Sequence, residues 1–157
     1  MRRKDREVME KEVLIEILDS CKTACVAMID KDLPYVIPLS YGYDLNEDEL
    51  VLYFHSAKEG RKIEILTNNN KVCFTIFSEG EPIHSETPCN SGYYFSSIIG
   101  NGRVEFIEEP DEKKYALKRM FAHQAKREVD FTDEQAATVS IFKIVSKEYT
   151  GKRKPKM

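Results

Sequence analysis

Residues His55 to Lys62 read His-Ser-Ala-Lys-Glu-Gly-Arg-Lys and concentrate the most chemistry in the chain. Ser56 and Glu59 have the S-x-x-E spacing of a capping box, in which the serine accepts a backbone N–H and the glutamate reaches back. A helix over Ser56–Leu66 is therefore predicted. Its free N–H groups and positive dipole end would make an anion site. Gly60 permits close approach to the backbone, and Arg61 with Lys62 can add charge-assisted hydrogen bonds to phosphate oxygens. A capped surface helix with two basic residues usually binds nothing. Cations at a helix N-terminus are mildly unfavourable with the dipole, however, so an anionic partner would account for them.

Other reactive residue types lack a supporting pattern. His55 gains interest from its place in the turn, whereas His84, in a long loop, and His123, among polar residues at a helix end, are expected to face solvent. Glu108 and Glu109 read as a charged turn before a helix, and no G-x-S-x-G nucleophile motif occurs. Tyr93, Tyr94 and Phe95 could line a pocket, yet strand aromatics usually pack in cores or dimer interfaces. Cys21 and Cys25 are too far apart for C-x-x-C, and no histidine completes a zinc set. Cys25 and Cys73 sit in apolar strands and read as small buried hydrophobes, while Cys89 reads as a loop residue. No metal site is expected.

The elements that must position the turn follow from apolar periodicity. Leu14, Ile17, Leu18 and Cys21 form one helical stripe. Strands are predicted at Thr23–Ile29 and Tyr35–Tyr43, around a turn containing Asp30, Asp32 and Pro34. Pro38 cannot donate to a ladder, so it marks an edge, a bulge, or a place where something other than a strand lies alongside. Leu50–Phe54 is apolar almost throughout and should be buried on both faces. Lys71–Phe77 is another strand, followed by a long loop at Ser78–Gly92. Tyr93–Ile107 reads as a strand with a bulge or close approach at Gly100-Asn101-Gly102. Pro110 opens a helix whose inner face is Leu117, Met120, Phe121 and Gln124, read as core. Thr138–Tyr149 is the last strand. Without βαβ alternation, a closed or nearly closed antiparallel barrel with peripheral helices fits better than a doubly wound parallel sheet, and the pattern alone does not choose between barrel and sandwich.

Bulk properties narrow the function. A chain of 157 residues suits one domain. A net charge of −3 argues against nucleic acid as a partner. Lys152, Arg153, Lys154 and Lys156 read as a solvated tail. No apolar run approaches the roughly 20 residues that cross a bilayer, and the N-terminus has no secretory pattern, so a cytoplasmic protein without membrane attachment is expected.

The turn also carries a resemblance. Together with Tyr35–Tyr43 (YVIPLSYGY), Ile98–Glu105 (IIGNGRVE) and Thr138–Arg153 with its TGKR ending, it resembles the pyridoxamine 5′-phosphate oxidase-related flavin-binding split barrels, specifically their 5-nitroimidazole resistance (Nim-type) branch. The likeness covers nearly the whole chain. It implies a single domain over 1–157, mainly β with peripheral α: a six-stranded antiparallel split β-barrel of the FMN-binding type. It implies FMN as cofactor, with FAD as the alternative, in a homodimer with two flavins between the subunits. Ile37, Pro38, Leu39, Ser40 and Tyr41 would lie along the flavin ring, mostly through backbone groups. Arg61 and Lys62 would hold the phosphate, helped by Ser56 and Gly60, with His55 and Ala57 near the ring and ribityl chain. The implied activity is oxidoreduction of a small, nitroaromatic-like substrate; no catalytic residue is assigned beyond His55 as a weak candidate. No arginine-rich C-terminal segment is evident, so vitamin B6 oxidation is not expected. The loop 78–92 is a natural place for substrate selection. Alternatives are a flavin-binding module without turnover, or haem in the same cleft with His55 as ligand.

Overall fold

The computed structural model describes residues 3–155; Lys156, counted above in the basic tail, lies outside them. Helix α1 (Lys11–Ser20) buries Leu14, Ile17 and Leu18, the stripe its spacing predicts. Each such side chain contributes about 1.5–3 kcal/mol when removed from water. Strands β2 (Thr23–Asp30) and β3 (Leu33–Ser40) form a hairpin turned at Lys31, whose φ of 62° is left-handed, and Asp32. Pro34 lies inside β3 rather than in the turn. Strands β4 (Gly42–Leu45) and β5 (Leu50–Ser56) follow, then α2 (Arg61–Asn68), β6 (Lys71–Ile83) and β7 (Gly92–Ile107). Helices α3 (Pro110–Ala125) and α4 (Asp133–Ala136) precede β8 (Ser140–Lys154), whose end also pairs with the short β1 (Glu7–Val8).

The sheet has 8 strands rather than the expected six, in the order β3-β2-β6-β7-β8-β5-β4, with β1 beside β8. The count differs because the predicted strand Tyr35–Tyr43 breaks at Tyr41 into β3 and β4, and β1 pairs through only two residues. The sheet is not closed: β3 and β4 stand at opposite ends of the hydrogen-bonded order. Yet the single residue Tyr41 joins them, so the sheet must roll until its two edges meet there. The result is consistent with an antiparallel barrel split along one seam.

Two apolar clusters explain why β5 is buried on both faces. Leu50, Leu52 and Phe54 point to the barrel interior with Phe74, Phe142 and Ile144. Val51 and Tyr53 point outward to a second cluster with Ala116, Leu117 and Met120 of α3. Alternation along a strand then places His55 on the α3 side and Ser56 on the barrel side. Helix α3 packs hard on β4: a Cβ on Gly42 would stand 2.5 Å from the backbone nitrogen of Met120.

Two further expectations change. The expected loop 78–92 is shorter: β6 and β7 continue as a hairpin to Ile83 and Gly92, with a register shift between Glu79 and Pro82, and leave 84–91 as the connecting loop with a short turn at Pro88–Asn90. Cys25 is only half-buried and Cys73 is exposed, because both lie on the outer sheet face. The expected bulge is present, as a register shift between Asn101 and Arg103. A Cβ at Gly100 would stand 2.5 Å from Phe74 Cζ, so a core ring is what approaches closely there. No helix among the described residues is long and apolar enough to cross a membrane.

Candidate functional site

A cleft of about 640 Å³ lies between the seam and α3. Ser40, the last residue of β3, and His55, near the end of β5, line it together with Leu117, Met120, Phe121 and Gln124 of α3. Phe131 completes the wall, meeting Phe121 edge to face at 5.2 Å between ring centres. Among the described residues no Asp, Glu, Lys or Arg side chain lines it. The helix face read as core is thus divided: Leu117 and Met120 are buried, whereas Phe121 is 41% exposed at the cleft. Phe131, Gln135, Thr138 and Val139 were not singled out in the sequence. One signal could have found them, the T-x-x-Q pattern at Thr132–Gln135, which forms a complete capping box and fixes α4 over the cleft.

Gln124 ties the cleft to the seam, donating through Nε2 to Tyr41 O at 2.7 Å and to Lys22 O at 2.9 Å. Tyr41 itself faces the core with no exposed surface, and its hydroxyl donates to Leu18 O and Cys21 O at 2.7 and 3.1 Å. Its side chain is therefore structural, and burial pushes its hydroxyl far above the usual tyrosine range. Ile37 and Leu39 are half-buried against the core, while Pro38 and Ser40 are exposed. Pro34 and Pro38 share one edge of β3. Since backbone groups alternate sides along a strand, only Val36 and Ser40 can offer an N–H on that edge.

The phosphate turn differs from its sequence reading. Ser56 remains paired in the sheet opposite Ser140, and its hydroxyl donates to Ala57 O at 2.6 Å. It therefore caps nothing, and the predicted capping box does not form. Helix α2 begins five residues later, with Gly60 as N-cap at φ 128° and no side-chain cap. The first intrahelical bonds come from Ile63 and Glu64 to Gly60 O, leaving the N–H groups of Arg61 and Lys62 ahead of them. A Cβ at Gly60 would meet nothing within 4 Å. Arg61 is held by Asp30, with Nε and Nη2 at 2.9 and 2.8 Å from Oδ2, and lies 4.3 Å above the Tyr35 ring. Lys62 makes no ion pair among the described residues. The structure thus brings Ser40 and His55 together and turns Ser56 and Tyr41 inward. Arg61 lines a separate concavity with Asp30 and Lys31.

Helix α3 is locked in place by two polar clusters. Asp44 accepts from Tyr53 Oη and Tyr115 Oη at 2.9 and 2.8 Å and pairs with Arg119 at 2.7 Å. His123, expected in solvent, is buried, because its ring packs against Tyr41 at a 33° tilt with 4.6 Å between ring centres, and Nε2 lies 2.9 Å from Cys21 O. Burial, reinforced by the nearby Lys22, lowers its pKa from the ordinary 6.5. A depressed histidine pKa means that the unfolded chain binds more protons below about pH 6.5. Stability contributed by neutral His123 is therefore present above that pH and is lost as pH falls below it through the lowered native value. Thermal unfolding of the wild type should show this acid-side loss, and His123→Gln should flatten it; an unchanged slope in the variant would contradict the assignment.

The rolled antiparallel sheet, its seam and its peripheral helices are consistent with a split barrel. The chain belongs to the pyridoxamine 5′-phosphate oxidase family, which matches it over residues 10–153. Among solved structures, a candidate 5-nitroimidazole antibiotic resistance protein from Bacteroides thetaiotaomicron is 31% identical, with 94% of this chain and 86% of that one covered and a TM-score of 0.80. An FAD and haem binding protein from Mycobacterium smegmatis is 17% identical, covering 96% and 74% of the two chains, with a TM-score of 0.79. The flavocytochrome Anf3 from Azotobacter vinelandii is 19% identical, covering 99% and 72%, with a TM-score of 0.78. At these lower identities the likeness is one of fold. No curated protein matches this chain.

Proposed function

We propose that the chain binds a flavin along the seam and uses it to reduce a small, uncharged aromatic substrate of the nitroaromatic kind. The observation that carries this reading is the joining of Ser40 and His55 in one uncharged cleft at the open edge of the sheet, within a family of flavin-type split barrels. The start of α2 fits a phosphate, because its N–H groups have no side-chain cap, Gly60 leaves open space, and Lys62 makes no ion pair among the described residues. The edge of β3 fits a flat ring, since Val36 and Ser40 can donate where Pro34 and Pro38 cannot. FMN needs no more than this one phosphate anchor. A bound flavin would supply hydride and electron transfer. The chain's own part is to hold the phosphate at α2, orient the ring at β3, and exclude water with Leu117, Met120 and Phe121. His55 is the one imidazole lining the cleft and could carry a proton there. The exposed outer sheet face, with Val36, Phe77 and Ile99, supports a homodimer.

The purified protein should show bound flavin in its visible spectrum, identified as FMN by mass spectrometry. Reduction by NAD(P)H and reoxidation by a nitroimidazole should follow. A protein that takes up neither FMN nor FAD would sink the proposal, and flavin that is held but never reduced would make it a binding module. A second reading, haem with His55 as ligand, is favoured by the apolar walls around that imidazole; the same spectrum separates the two.

A further inference from the structure

In the cleft at the seam, the side chain of Gln124 is set as a pure acceptor. Its Nε2 directs both hydrogens to backbone carbonyls, Tyr41 O at 2.7 Å and Lys22 O at 2.9 Å. Carbonyls cannot donate, so the amide cannot turn over without setting its own oxygen against theirs. The place of Oε1 is therefore fixed, and among the described residues it accepts no hydrogen bond. No buried side-chain oxygen among them lacks a partner, so Oε1 is open at the surface of a half-buried side chain that lines the cleft. The other polar groups differ. Gln135 Oε1 takes the N–H of Thr132 at 3.0 Å, which leaves the Gln135 amide as a donor. Ser40 and His55 can donate or accept. Thr138 Oγ1 gives its proton to Gln135 O at 2.7 Å, but Thr138 is exposed and water serves its oxygen.

We infer that Gln124 selects, among flat electron-accepting aromatics, those that carry their own N–H or O–H donor, with that donor on Oε1 and the ring against Phe121. The inference rests on the proposed reduction for the nitroaromatic character of the substrate. A nitro group only accepts, so it is served by Ser40, His55 and Gln135 and finds no donor at Gln124. A ligand without a donor of its own would strip water from Oε1 and replace it with nothing, and an amide oxygen left unpaired among apolar walls is costly. Phe121 and Phe131, edge to face beside Gln124, offer a surface that favours a flat ring. Gln124 is thus a specificity-determining residue.

The pair 2-methyl-5-nitroimidazole and 1,2-dimethyl-5-nitroimidazole provides the test, since the second carries a methyl group in place of the ring N–H. Binding of each to the full chain, as purified, is measured by isothermal titration calorimetry, and its reduction is followed alongside. The N–H compound should bind at least about tenfold tighter. The methyl group also adds bulk, so two variants separate bulk from hydrogen bonding. Gln124→Lys still brings a donor to Tyr41 O and Lys22 O but offers no acceptor, and Gln124→Met offers neither. In both, the two affinities should come within about twofold of each other. Equal affinities in the wild type, or a preference that persists in either variant, would overturn the inference. A preference without reduction would leave the inference standing and remove the proposed activity. Equal binding and equal reduction of both compounds would do the reverse, and binding of neither would remove both.

Discussion

Replacing Arg61 and Lys62 together with alanine should weaken flavin binding by about 100-fold or more, measured by quenching of flavin fluorescence on titration. Hydrogen bonds to a charged group are worth about 1.5–3 kcal/mol each, so losing two corresponds to at least that factor. The structure separates the two contributions. Arg61 already engages Asp30 and the Tyr35 ring, so a phosphate must share it, whereas Lys62 has no competing ion pair among the described residues. Lys62→Ala alone should therefore cost more affinity than Arg61→Ala. Riboflavin, which lacks the phosphate, should bind the wild type and the double variant alike. Equal FMN affinity in the wild type and the double variant would place the phosphate elsewhere.

Gly42→Ala should be the most destabilising single methyl addition near the cleft, lowering stability by about 3 kcal/mol. The added carbon would stand 2.5 Å from Met120 N and 2.6 Å from Arg119 C, both backbone atoms of α3, which cannot rotate away. The usual entropic gain from replacing glycine, about 0.4–1 kcal/mol, is too small to offset this. For a chain of this size the melting temperature should fall by roughly 8 °C. Helix α3 would have to move, carrying Phe121 and Gln124 with it, so flavin binding should weaken too. A variant that melts with the wild type would show that α3 is held less tightly than this packing implies.

Which parts of the chain could be read in advance depends on where local preference met competition. The α1 stripe and the doubly buried β5 were legible because apolar periodicity there reports burial directly. The bulge near Gly102 was legible because glycine in a strand has few other uses. Helix α2 began late because Ser56 had a stronger commitment. Its backbone completes the ladder to Ser140, and a residue in a strand cannot also cap a helix. The similar pattern at Thr132, with no strand to claim it, capped α4 as written. His123 was misjudged because its ring nitrogens are polar while its face packs against Tyr41. The site was legible in part. Ser40 and His55 lie 15 positions apart in sequence, and only the roll of the sheet brings them into one cleft. Phe131 and Gln135 reach it at and just before α4, whose start the Thr132 pattern marks but whose position over the cleft comes from packing on α3.

A sheet left open along a seam offers unpaired strand edges, and such edges recruit other chains into aggregates. Here both are guarded. On the β3 side, Pro34 and Pro38 lack the donors an incoming strand would need, which leaves the edge receptive to a small flat molecule and poorly suited to another polypeptide. On the β4 side, α3 sits directly on Gly42 and shields the strand. The same two prolines that mark the proposed ligand edge therefore also disfavour polymerisation through it when no ligand is present.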